Sequence, residues 1–463
     1  MDITSLHYFV FLAIFVFVYY LAPPRLRLIP ILLGSSLFII TQDVGLFLFL
    51  LFFISLNYLL LILLNHSQNP IYRRAFLFLS VSLNLLVLIF FKYLTFITDN
   101  LNRLFSGYHP SLSMSAVYQL VAPLGVSFFV FKMLSLIIDT YRTRQKSLTL
   151  ALLFSYILFF PEFLSGPINR FQNFFGSLQS QSKFVITNFY PGVYRFLLGL
   201  FKKLIVANSF AALANPVFDN PASYSSFHLL IATYLFSFQI FFDFSGYSDM
   251  AIGVGKILGF TIPENFNSPY LSTSIKEFWR RWHITLSSWF RDYLYIPLGG
   301  NRHGLIRQIF NVLFVFLLTG FWHGASWNFI VWGIIHGVYQ VAYMLLHPLA
   351  FITKINPRLK SVLGIFLTFH LVNFSWIFFR AKSLNQALSF TYHLVSPHLA
   401  IRYLDLTSLY EPLILLLVLY FLLITSKYKP NSSYVKVAIA GFVFLSILFN
   451  PTSEPQDFLY FKF

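Results

Sequence analysis

The sequence predicts an all-α polytopic membrane protein, and three observations predict it. Apolar residues fill 57% of the 463 positions and charged residues only 10%, where a soluble domain carries about 25% charged residues. Phe alone occurs 60 times, and mean hydropathy is +0.72. Apolar stretches recur along nearly the whole chain, so the few charges present cannot cover a water-facing surface of this size.

A bilayer span needs about 20 apolar residues. Val44–Leu64 is 21 residues without a charge. Ala325–Leu346 and Ser361–Phe379 are comparable, and further candidates lie near 5–22, 28–41, 75–95, 117–138, 149–166, 190–215, 226–245, 307–320, 411–426 and 436–450. About 11 to 13 membrane helices are expected at that length. Several are short or hold Pro or Gly, which marks them as tilted, broken or re-entrant. Residues 5–22 read as a retained first span, because Asp2 and no Lys or Arg precedes them and a secretory signal opens on a basic segment. Without repeats or long linkers, the chain reads as one integral membrane domain over 1–463.

The net charge is +17. On a chain this apolar the basic residues mark cytoplasmic loops and anionic lipid headgroups rather than nucleic acid. Arg25 and Arg27 follow the first span, Arg73 and Arg74 the third, and Arg142, Arg144 and Lys146 the fifth. That alternation places the N-terminus outside. There is no cysteine, which excludes disulfides, thiolate metal sites and a catalytic thiol.

Residues Lys276–Tyr295 separate their types when set on a helix at about 100° per residue. Phe278, Trp279, Trp282, Leu286, Trp289, Phe290 and Tyr293 fall on one side; Lys276, Glu277, Arg280, Arg281, Thr285, Ser287, Ser288, Arg291 and Asp292 fall on the other. Such a helix lies along the interface or lines a polar cavity. His283 sits at the edge of the polar face, where it is either an interfacial histidine beside an aromatic belt or a polar group in a substrate path.

Polar residues inside membrane segments are functional candidates. His323 lies between two apolar stretches, flanked by Gly320 and Gly324, which permit close backbone approach or a helix break. His336 comes 13 residues later, about 20 Å away on one continuous helix and on another face, so the two are not expected to form one site directly. His370, in mid-span, is expected to bond a neighbouring helix. Asp243, Ser245, Tyr247 and Asp249 cluster at a span end; such a carboxylate coordinates an ion, holds a histidine or pairs with an arginine. No H-E-x-x-H pair, G-x-S-x-G elbow or phosphate-loop spacing occurs. Local ligand spacing supports no metal.

Seven blocks then carry a family resemblance. They are Pro123–Phe129 (PLGVSFF), Phe159–Arg170 (FFPEFLSGPINR), Phe241–Asp249 (FFDFSGYSD), Asn265–Tyr270 (NFNSPY), Glu277–His283 (EFWRRWH), Trp289–Gly300 (WFRDYLYIPLGG) and Gly320–Gly324 (GFWHG). In this order they resemble the membrane-bound O-acyltransferase (MBOAT) family over roughly residues 7–380. Within it the pattern is most similar to the bacterial alginate O-acetylation type, and the teichoic-acid D-alanyl transfer type is related.

The resemblance implies a ring of tilted, interfacial and re-entrant helices around a central funnel or tunnel. It divides the chain into a core of about 117–380, peripheral N-terminal spans over 1–116 and C-terminal spans over 411–450. It matches the family's catalytic histidine to His323 and a second, upstream histidine to His283. It further implies a substrate and donor path drawn from Arg170, Asp243, Tyr247, Asn265, Trp279, Arg280, Arg281, Arg291 and Trp322. The arginines are the candidates to hold a donor's phosphates. The expected reaction moves an acetyl group from a cytosolic thioester towards an exported glycan. Acetyl-CoA is the implied donor substrate, no permanently bound cofactor is implied, and a separate extracytoplasmic O-acetyltransferase is the implied partner. The expected location is the bacterial inner membrane. Two alternatives stay open: D-alanyl-type transfer from a carrier-protein thioester, and a transporter or flippase that makes no covalent bond.

Overall fold

A computed structural model describes residues 3–105, 123–144, 148–180, 186–347 and 356–396, with shorter pieces between 402 and 445. Every regular element among the described residues is helical. Among the described residues, seven helices are long and apolar enough to cross a membrane: Val44–His66, Pro70–Phe105, Phe189–Asp219, Ser226–Ile257, Gly304–His323, Trp327–Leu346 and Pro357–Arg380. Two shorter apolar helices, Leu6–Leu21 and Leu28–Gln42, precede them. The candidates near 411–426 and 436–450, and the start of 117–138, fall largely outside the described residues. Phe52, Phe78 and Phe366 are exposed on these helices. Isolated in water such rings would be a liability, whereas hydrocarbon solvates them.

The chain forms two compact units, one of residues 1–193 with 251–263, the other of 194–250 with 264–463. In the first, helices α1 (Leu6–Leu21), α2 (Leu28–Gln42), α3 (Val44–His66) and α4 (Pro70–Leu88) are followed by α5 (Leu94–Phe105), α6 (Val126–Thr143), α7 (Leu150–Leu158) and α8 (Phe171–Gln179). Local signals set the ends. The Asp43 side chain accepts from Leu46 N–H at 2.9 Å to open α3. Asn69 accepts from Ile71 N–H at 2.8 Å ahead of Pro70, at the first position of α4. The loop from Phe159 to Asn169 is wholly buried, so its polar groups need internal partners. Lys132 supplies one, 3.2 Å from Glu162 and 2.6 Å from the Tyr156 carbonyl. Asn169 donates to the other Glu162 oxygen at 2.9 Å.

The second unit holds the second half of α9 (Ile186–Phe201), then α10 (Asn208–Asp219) and the long α11 (Ser226–Ile257) as far as Met250. It continues through α12 (Ile275–Arg281), α13 (Ile284–Phe290), α14 (Gly304–His323), α15 (Trp327–Leu346), α16 (Pro357–Arg380) and α17 (Leu384–Val395). Helices α9 and α11 meet at Gly199 and Gly246, where an added Cβ would strike the opposing backbone. That approach, with a π-helical turn at Lys202–Ala207, brings Lys203 to 2.6 Å from Asp243. Asp249 takes Arg195 at 2.6 Å and Lys202 at 2.5 Å. Both carboxylates are thus paired with cations, Asp243 with a lysine and Asp249 with an arginine and a lysine.

One expectation changes. Residues 276–295 do not form one amphipathic helix. α12 stops at Arg281, His283 has φ 43°, α13 restarts at Ile284, and a π-helical turn follows at Arg291–Tyr295. The sidedness survives the break except at Thr285 and His283, which are buried. The three Trp rings, at 279, 282 and 289, are buried in the protein rather than held at a headgroup surface. His323 and His336 stand on separate helices, across the break that Gly320 and Gly324 permit. The chain leaves α14 at His323, Gly324 is extended at φ −166°, and Ser326 opens α15. α14 and α15 then pack together through Gly320 and Gly333.

Candidate functional site

His323 ends α14 at this reversal and is 3% exposed. Aromatic rings surround it: Trp322 at 4.9 Å between centroids, Trp332 at 5.0 Å and Phe379 at 5.2 Å. The reversal is fastened from behind. Ser326 bonds Asn328, whose amide donates to the Phe378 and Ala381 carbonyls at 3.2 and 2.8 Å, beside the end of α16. The ring is therefore held by a fixed backbone and close-packed neighbours.

His283 is fully buried in the break between α12 and α13. Its ring lies edge-on to Phe244, 4.7 Å away, and 6.2 Å from Trp322. Trp322 thus touches both histidines. Burial pushes the His283 imidazole down to about 3, because a cation would lose its hydration there. The ring is neutral across physiological pH. Asn265 bonds it through Nδ1 at 3.1 Å.

His336 is also fully buried and touches Trp332 at 4.9 Å. Both its nitrogens are committed. Trp279 donates to Nδ1 at 3.2 Å, and Ser375 Oγ stands 2.9 Å from Nε2. Ser375 gives its own proton to the Val372 carbonyl at 2.7 Å, so Nε2 is the donor in that pair. His370 bonds Tyr234 of α11 at 3.0 Å, as its mid-span position suggested.

A cavity of about 730 Å³ opens beside this cluster. Its charged lining is basic, from Lys276, Arg280 and Arg291, and its inner wall includes Trp279, Phe316 and Thr319. Thr319 precedes His323 by four residues on α14, so the two share a helix face. Trp279 also meets Trp332, which packs on His323. Sites of roughly 300–1,000 Å³ take a ligand of cofactor size, and cations at the rim suit phosphates.

The sequence-derived residues therefore divide. His323, Trp322, His283, Asn265 and Trp279 are linked through ring contacts and hydrogen bonds, and Arg280 and Arg291 line the cavity with Trp279. Arg291 also pairs with Asp292 at 2.8 Å. Arg281 folds back on Glu277 at 2.6 Å and is absent from the lining. Asp243 is bound to Lys203, and Tyr247 is buried on α11. Arg170 caps α8 in the first unit. Lys276, Thr319 and Gln340 line the cavity without having been singled out. Spacing exposed Lys276 as polar-face, but nothing in the sequence reports that α14 and α15 frame a cavity with it.

A family model described as MBOAT, membrane-bound O-acyltransferase family, matches residues 35–379. The peptidoglycan O-acetyltransferase of Helicobacter pylori is 33% identical over 391 residues, covering 79% of this chain and 69% of that protein. The probable alginate O-acetylase AlgI of Pseudomonas aeruginosa is 37% identical over 388 residues, covering 82% and 72%. The teichoic acid D-alanyltransferase of Bacillus subtilis is 32% identical over 286 residues, covering 57% and 70%.

Proposed function

This chain belongs to the membrane-bound O-acyltransferase family, and from that premise we propose that it moves acetyl from cytosolic acetyl-CoA towards an extracytoplasmic glycan, with His323 as general base or acyl relay. O-acyltransfer is the family's chemistry; the donor, the acceptor side and the histidine's role are the proposal. The observation that carries it is the seat of His323: a buried ring fixed at a chain reversal, one helical turn from the inner wall of a cavity rimmed by cations.

The neutral imidazole takes the proton of an attacking hydroxyl as that oxygen bonds to the thioester carbonyl carbon. The tetrahedral intermediate then collapses, the carbon–sulfur bond breaks, and the imidazolium returns the proton to the leaving thiolate. In the relay version the imidazole nitrogen attacks the thioester carbonyl, the carbon–sulfur bond breaks to release the thiolate, and the hydroxyl then takes the acyl group as the carbon–nitrogen bond breaks, its proton ending on the thiolate. General-base help is worth about 10²–10⁴-fold, and holding both substrates in place supplies more. Lys276, Arg280 and Arg291 hold the donor's phosphates; Arg281 is absent from the cavity lining.

Two relatives that cover most of this chain are named for O-acetylation, of peptidoglycan and of alginate. This supports acetyl over D-alanyl, whose named relative covers 57% of the chain. The setting proposed is the bacterial inner membrane with the N-terminus outside, from the arginine alternation. A separate extracytoplasmic O-acetyltransferase completes delivery. Purified protein in liposomes, given acetyl-CoA labelled in the acetyl group, is expected to release CoA and pass label to an acceptor. Entry of intact acetyl-CoA without thioester cleavage would instead identify a transporter, and turnover only with a D-alanyl carrier protein would reassign the donor.

A further inference from the structure

Asn265 braces the helix break at His283. Its main-chain carbonyl accepts from Ile284 N–H at 3.0 Å. Its side-chain oxygen accepts from Thr285 N–H at 3.2 Å and from the Thr285 hydroxyl at 2.9 Å. The same oxygen stands 3.1 Å from His283 Nδ1. One step along, Asn267 N–H donates to the Arg281 carbonyl at 2.9 Å. Residues 265–267 thus run beside residues 281–285 and hold His283 at its φ of 43°.

These contacts also settle where the imidazole proton sits. A backbone N–H only donates, so the Asn265 atom facing Thr285 N–H is the oxygen. The amide nitrogen faces Ser248 Oγ at 3.4 Å. An amide oxygen only accepts, so His283 Nδ1 carries the proton and Nε2 carries the lone pair.

We propose that Asn265 is a positioning residue for acyl transfer: it locks His283 in the Nδ1–H tautomer, so that Nε2 is a proton acceptor in the ring cluster that Trp322 shares with His323. The inference rests on the acyl-transfer reading above and gives its second histidine a defined role. His336 holds the opposite tautomer, with its proton on Nε2, in the same aromatic cluster. The two environments therefore select a proton position rather than merely burying a ring.

The charged and titratable groups on the packed elements have neighbours of their own. On α11, Asp243 is bound to Lys203, and Asp249 to Arg195 and Lys202. Glu264 beside Asn265 bonds Arg195, and on α12 Glu277 bonds Arg281. Arg280 faces the cavity, Arg291 pairs with Asp292 after α13, and His323 on α14 lies past Trp322. Burial alone holds the His283 ring neutral.

Nitrogen-15 NMR of histidine-labelled protein, with His283→Gln to assign the signal, reads the tautomer without requiring activity. The expected result is a protonated Nδ1 and a lone-pair Nε2 for His283 in the wild type. An Nε2–H signal there overturns the proposal while leaving the acyl-transfer reading intact. Loss of acetyl transfer from the wild type itself would sink that reading and leave the tautomer result standing. Asn265→Ala is expected to lower kcat at least about tenfold with KM for acetyl-CoA unchanged. Because that variant also loosens the break, Asn265→Asp is the second test. It keeps every acceptor contact and adds a charge that favours imidazolium. An acid limb absent from the wild type is expected to appear in its kcat profile between pH 5 and 8, on the scale of an unperturbed histidine at about 6.5. A profile identical to wild type, in folded Asn265→Asp protein, overturns the proposal.

Discussion

His323 and His336 meet the same indole, Trp332, at 5.0 and 4.9 Å, yet the fold treats them differently. His336 sits in the middle of α15 with each nitrogen spent on a neighbour, Trp279 and Ser375. His323 sits at the end of α14, on the helix face that lines the cavity four residues earlier at Thr319. Burial and aromatic company do not separate the ring proposed as the base from a structural one here. Position in the chain does.

The strongest way to break this contrast is to exchange the outcomes. His323→Ala should lower acyl transfer by about 10²-fold or more at equal folded protein, while His336→Phe should lower it by less than about tenfold. The expected cost of His336→Phe is stability, about 1–3 kcal/mol for buried partners left without their bond, read as an earlier melting transition in detergent. Equal catalytic losses from the two variants would erase the distinction.

The ionic cluster of the same unit sharpens it from another side. Asp243 and Asp249 are buried acids in a membrane-spanning helix, a usual mark of function, yet both are paired. Lys203→Met should cost about 3–5 kcal/mol, because it strands a buried carboxylate, and Lys203→Met with Asp243→Leu should recover part of that loss. Thermal melting of the single and double variants checks both. A double variant no more stable than the single would show that the pair is not the reason.

A pH test isolates His283. Its folded-state value near 3 lies below the unfolded value of about 6.5. The unfolded chain therefore binds the extra proton first. The stability from burying the neutral ring is present above pH 6.5 and declines as pH falls towards 3. Melting temperature should drop between pH 7 and pH 5, and His283→Gln should flatten part of that slope. The smallest expected effect is at the cavity rim: Arg280→Ala should raise KM for acetyl-CoA several-fold with kcat nearly unchanged, the signature of lost ground-state binding.

Much of this was legible in the residues. Composition alone gave the membrane class, and the spacing of apolar runs located helices such as Val44–His66 and Pro357–Arg380 within a few residues. Gly320 and Gly324 pointed to the reversal at His323. A spacing to His336 reckoned on one continuous helix does not apply across that reversal. The break at His283 was invisible in an amphipathic pattern that runs across it unchanged. A histidine at φ 43° is held by Asn265, 18 residues away, and periodicity reports only neighbours along one helix. The cation partners of Asp243 and Asp249 were hidden for a related reason. Lys202 and Lys203 look like a loop-marking basic pair until the Gly199–Gly246 approach turns them inward.

The most direct test of the central claim is single-turnover acetyl transfer from labelled acetyl-CoA by His323→Ala beside wild type, both in liposomes at matched folded amounts. Wild type should cleave the thioester and pass on the label, and His323→Ala should bind acetyl-CoA with similar affinity but cleave it at least about 10²-fold more slowly. Cleavage and transfer at the wild-type rate by His323→Ala would contradict the account.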